Sequence, residues 1–147
     1  MRSRTLLVVA AAIGALAVQA TPASAAQNWQ AVDTNSNWYC SDYFKHSVSD
    51  YVKYKTCIVL NSNYDAQAVL VVQSTASVAV SIGGSLKESN FSSNVSCANT
   101  TLNPGFTRGC FAPTIGVGSS GDLKATGELK LNGVSNSKTF TLLRVSR

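Results

Sequence analysis

From position 123 the chain alternates without a break. Leu123, Ala125, Gly127, Leu129 and Leu131 take turns with Lys124, Thr126, Glu128 and Lys130. One face is apolar or small and the other polar, the mark of an antiparallel strand with one buried face. Asn132-Gly133 follows at once, a strong signal for a tight hairpin turn. The returning strand carries Phe140, Leu142, Leu143 and Val145. Its apolar phase is mixed, so its register stays open and a longer turn over 134–137 is allowed. Val78, Val80 and Ile82 repeat the two-residue period against Ser77, Ala79 and Ser81, with Gly83-Gly84 ending that run. In Tyr51–Leu60, Val52, Tyr54, Ile58 and Leu60 share one phase while Lys53 and Lys55 take the other. Asn61-Ser62-Asn63 then marks a loop. Val69-Leu70-Val71-Val72 is continuous, as expected of a central strand covered on both faces. Further strands are expected near Trp38–Phe44, Leu86–Phe91 and Thr107–Val117.

Beyond the first residues of the chain, no segment keeps apolar side chains at helical spacing. About seven or eight short strands separated by Gly, Asn and Ser clusters predict an all-β fold. The expected form is a small antiparallel β-sandwich with immunoglobulin-like layers, since local disulfides can tie hairpins within such layers. No linker or internal repeat divides it. Residues 26 to about 36 are polar enough to read as a loose N-terminal arm.

The first segment reads differently. Arg2 and Arg4 precede an apolar run, and Ala23-Ser24-Ala25 supplies the small residues of a signal-peptidase site. The run from Leu6 to Val18 is 13 residues, short of the ~20 that a spanning helix needs. The sequence therefore predicts a signal peptide over 1–25 and a single secreted β domain over 26–147. Without Arg2 and Arg4, ten basic residues face seven acidic ones and the net charge falls from +5 to +3. Mild positive charge favours contact with anionic surfaces and does not indicate a nucleic-acid partner.

Cys40, Cys57, Cys97 and Cys110 all follow that segment, and an even count in an exported chain reads as two disulfides. Cys40–Cys57 and Cys97–Cys110 are the expected pairs, each bridging neighbouring strands of one hairpin. The second encloses Asn103-Pro104-Gly105, a strong turn signal. The wide cysteine spacing and the single histidine give no zinc pattern, and no metal or cofactor is expected.

Chemistry-bearing residues are sparse. His46 reads as a solvated loop histidine, with no nucleophile motif to serve. The carboxylates Asp33, Asp42, Asp50, Asp65, Glu88, Asp122 and Glu128 sit mostly beside turns or on polar strand faces. Asn90, Asn94 and Asn99 begin Asn-x-Ser/Thr triplets in a segment that reads as an exposed polar loop. The aromatics are more informative, because both tryptophans and all five tyrosines fall between Trp29 and Tyr64. Rings with polar edges suit a saccharide-stacking or protein-contact face. The competing role for them is core packing, which exposure decides. Trp38, Tyr43, Tyr51 and Tyr54 are the candidate ligand-binding residues.

Trp38-Tyr39-Cys40, Lys55-Thr56-Cys57-Ile58-Val59, the segment Ala66–Gln73, Ser96-Cys97-Ala98-Asn99 and Gly109–Thr114 together resemble small secreted proteins of actinomycetes. That resemblance implies a two-disulfide β fold outside the cell and carries no established activity. A fainter similarity is to the secreted amylase inhibitors of the same bacteria. Their aromatic–arginine–aromatic triplet is missing, since no arginine lies between Cys40 and Cys57. The expected function is a secreted, non-catalytic binding or interaction module for a polysaccharide, the cell envelope or another protein. The alternative is an inhibitor of a secreted hydrolase, acting through the disulfide-braced loop Ala98–Gly109. A monomer is expected, with no membrane insertion after cleavage.

Overall fold

The computed structural model describes residues 25–89 and 94–144. Almost all of the expected signal peptide, the first Asn-x-Ser triplet at Asn90, and Phe91 and Val145 lie outside the described residues. Those residues form ten strands and no helix: β1 (Trp38–Cys40), β2 (Phe44–His46), β3 (Ser49–Leu60), β4 (Asp65–Ser74), β5 (Val80–Glu88), β6 (Val95–Leu102), β7 (Thr107–Phe111), β8 (Ile115–Gly116), β9 (Leu123–Leu131) and β10 (Val134–Leu142). No described helix is long and apolar enough to cross a membrane.

The strands make two antiparallel sheets, ordered β1-β3-β4-β7 and β10-β9-β5-β6. β2 joins the first sheet on β3 and β8 joins it on β4. The sheets pack face to face as a β-sandwich, with Ile58 and Leu70 of one meeting Ile82, Leu86, Leu129 and Leu131 of the other in the buried core. The strand count differs from the expected one because β6 forms in the segment read as a polar loop, the strands expected over 78–82 and from Leu86 onward are one strand, β5, and two edges are broken. The Trp38–Phe44 region becomes β1 and β2, both on the same edge of β3. The Thr107–Val117 region becomes β7 and β8, both on β4, with Pro113 between them. A proline has no N–H to give the ladder, so pairing lapses there.

β4 is covered on both faces, as its run of valines predicts. Leu70 and Val72 face the main core, while Val69 and Val71 join Cys57 under Val32, Trp38, Val59 and Phe111. β9 and β10 pair from Leu131↔Val134 to Leu123↔Leu142, so the turn is the tight one. Asn132 and Gly133 both have positive φ, 47° and 87°, the geometry of a two-residue hairpin that Asn-Gly adopts at least cost.

Four expectations need correction. Gly83-Gly84 does not end a strand: β5 runs through it to Glu88, with a register shift between Ile82 and Gly84. A side chain at Gly84 would collide with the Glu128 carbonyl of neighbouring β9, so the glycine permits continuation rather than marking a stop. Asn99 lies on β6 rather than in a loop. The N-terminal arm is not loose. Gln27 exchanges backbone bonds with Ser96 and Ala98 of β6, and Gln30 exchanges two at 2.8 Å with Gly109 of β7. The arm therefore stitches the two sheets together along their open side.

The last correction concerns the disulfides. Cys40–Cys57 joins directly opposed residues of β1 and β3, with Cα atoms 4.0 Å apart. Cys97–Cys110 has the expected partners but not the expected setting. Its cysteines lie on β6 and β7, which belong to different sheets, with Cα atoms 5.9 Å apart. The chain over 103–106 crosses from one sheet to the other instead of turning within one. Two disulfides fit an oxidising, extracellular environment.

Candidate binding face

The β2–β3 hairpin sets the geometry of the aromatic cluster. Side chains alternate between faces along a strand, so Val52, Tyr54 and Thr56 point into the sandwich while Tyr51, Lys53 and Lys55 point out. Lys45 of β2 sits opposite Lys53 in register and lies on the same outer face. Just before β2, Tyr43 packs beneath Lys55, whose Nζ is 4.6 Å from the ring centroid. The result is a surface on which Tyr43 and Tyr51 are interleaved with Lys45, Lys53 and Lys55. Tyr51 is 63% exposed and Tyr43 37%. Lys45 and Asp50 form an ion pair at 3.3 Å, both side chains largely in solvent, an arrangement that contributes little to stability. Partial burial pushes the Tyr43 phenol above its ordinary pKa.

The four candidate residues separate. Tyr43 and Tyr51 belong to the open face. Trp38 lies on the same side of the sheet but is half-buried, edge-on to Phe111 with ring centroids 5.9 Å apart. It packs against the outer core beside the Cys40–Cys57 bridge, so it is less open than Tyr51. Tyr54 is 2% exposed and lies inside the sandwich, its ring against Phe44 and His46. It cannot meet a ligand on the outer face, and its candidacy is corrected. The signal was in the sequence, since Tyr54 shares the phase of Val52 and Ile58. The lysines of the face were legible in the same alternation but were not joined to Tyr43 and Tyr51.

His46 also departs from expectation. It is buried rather than solvated. Its Nε2 lies 3.2 Å from the Leu129 carbonyl, and its Nδ1 accepts the Val48 N–H at 3.4 Å. The neutral ring protonated on Nε2 satisfies both contacts. Several carboxylates have structural work. Asp65 accepts from the Asn61 side chain at 3.1 Å, and Asp122 accepts the Arg144 backbone N–H at 3.0 Å. Arg144 in turn donates from its guanidinium to Gly118, Ser120 and Gly121 carbonyls, holding the loop before β9.

No family model matches the chain, and no curated protein matches it. Among solved structures it is similar to the GAE domain of GGA2p from Saccharomyces cerevisiae. The two are 18% identical over 71% of this chain and 98% of that one, with a TM-score of 0.32. A likeness at that level carries no argument about function.

Proposed function

We propose that the protein is a secreted, non-catalytic binding module whose outer β2–β3 face holds an acidic extracellular polysaccharide. The observation that carries this reading is the interleaving of exposed Tyr43 and Tyr51 with Lys45, Lys53 and Lys55 on one sheet face. Tyrosine rings present an apolar flat surface with a polar rim, which suits a sugar ring. The lysines add a cationic field that attracts an anionic polymer. The non-catalytic part rests on His46, which is engaged in the core rather than poised in a cleft. Export rests on the N-terminal sequence pattern and on the two disulfides. Retention on insoluble acidic and neutral polysaccharides and on isolated cell wall tests the reading. Retention on acidic material, weakened by salt, is expected. Failure to bind any acidic polymer overturns it.

A further inference from the structure

A second feature lies on the open side of the sandwich, away from the β2–β3 hairpin. There a cleft of about 110 Å³ opens between the two sheets, walled by Trp29 of the arm, Thr100 and Thr101 of β6, Asn103, Phe106 and Arg108. Arg108 is on β7, opposite Val72 in register, so its side chain leaves the edge of one sheet toward the other. It is partly buried, and its guanidinium lies over the Phe106 ring, 4.5 Å from the centroid. Among the described residues it donates only to the Thr107 carbonyl, at 2.9 Å, and meets no carboxylate. A guanidinium has five N–H donors in a planar fork. A partly desolvated cation with most of that fork unspent is suited to an anion from outside.

The walls are fixed before any ligand arrives. The Trp29 indole N–H donates to the Ala98 carbonyl at 2.7 Å, which holds the ring in place. Gln30 pairs with Gly109, one residue after Arg108, and Cys110 ties the same strand to β6. A site built on braced elements loses less freedom on binding.

We propose that this cleft binds the carboxylate of an acidic sugar, a uronic-acid residue, with Arg108 gripping the carboxylate and Thr100, Thr101 and Asn103 meeting the ring hydroxyls. The carboxylate rests on Arg108 and its cleft alone. The sugar ring rests also on the polysaccharide reading above. Small-molecule binding here and polymer binding on the β2–β3 face involve different residues, so either can fail without the other.

The test is an NMR titration of the disulfide-intact protein with sodium glucuronate at constant ionic strength. Saturable shifts are expected at the Trp29 indole N–H, the Arg108 Nε–H and the amides of 100–103. Arg108→Gln is expected to weaken binding about tenfold or more, the scale of losing a bidentate charge-assisted pair. Arg108→Lys keeps the charge and much of the stem but not the fork. It is expected to bind more weakly than wild type with an otherwise native spectrum, which protects the test should Arg108→Gln fail to fold. Absence of saturable shifts in the wild type up to about 100 mM overturns the proposal, since a specific site should fill by then. So do equal shifts with glucose or phosphate, which would remove the carboxylate, and equal affinity for acetate, which would remove the sugar.

Discussion

The Thr56 hydroxyl accepts the backbone N–H of Gly127 at 3.2 Å across the core, and donates to the Lys138 carbonyl at 2.9 Å. One side chain of β3 thus ties the opposite sheet at β9 and β10. The contact leaves no room for a larger residue at 127. A Cβ there would sit 2.6 Å from Thr56 Oγ1 and 2.9 Å from Leu70 Cδ1. Gly127→Ala is therefore expected to destabilise by about 1–3 kcal/mol through overpacking. Thr56→Val should cost about 0.5–1.5 kcal/mol by removing the hydroxyl's two hydrogen bonds across the core. Denaturant unfolding reads both, and an unchanged midpoint in either variant would contradict this picture of the core.

Because Cys97–Cys110 joins the two sheets, its removal has a local signature that a hairpin disulfide would lack. C97A/C110A is expected to lose about 3 kcal/mol and to speed amide exchange at Gln27 and Gln30, whose partners lie on β6 and β7. C40A/C57A should leave those two amides protected. Exchange that rises equally in both variants would count against the arm as an inter-sheet stitch.

Burial pushes the Tyr54 phenol above its ordinary pKa of 10.0. Above pH 10 the unfolded chain ionises this group before the folded one does. The folded state then binds more protons than the unfolded, so stability is unaffected below pH 10 and falls as pH rises toward the folded value. Tyr54→Phe should flatten part of that alkaline decline. Tyr43 is raised by the same cause but is more exposed, so Tyr43→Phe should change the slope less. Unfolding free energies at neutral and alkaline pH decide it, and an undiminished slope in Tyr54→Phe would contradict the assignment.

The fold was legible where side chains follow a strict period. β9 and its Asn132-Gly133 turn stand where the alternation put them, and the valine run of β4 is buried on both faces. What local patterns could not carry was long-range placement. Gln27 and Gln30 look solvated in sequence because backbone bonds fix them to distant strands, while Trp29 between them is held by its ring and indole N–H. His46 looks exposed between Lys45 and Ser47, yet its bond to Leu129 spans most of the domain. The same holds for the sheet-to-sheet setting of Cys97–Cys110, since a spacing of 13 residues serves a hairpin and a crossover alike. At the candidate face, period-two phasing was enough to separate Tyr51 from Tyr54. The closeness of Tyr43 to Lys55 needed the β2–β3 register.

The binding claim is tested most directly by the affinity of soluble polygalacturonate for the wild type and for Y51A/K53Q/K55Q, measured by calorimetry at two salt concentrations. All three substituted side chains point outward from β3, so the variant should fold as the wild type does. The wild type is predicted to bind and to weaken with salt, as exposed charge contacts do. The variant is predicted to lose about tenfold or more in affinity, the effect of two cationic contacts and one aromatic anchor. Binding by the variant equal to that of the wild type would contradict the account.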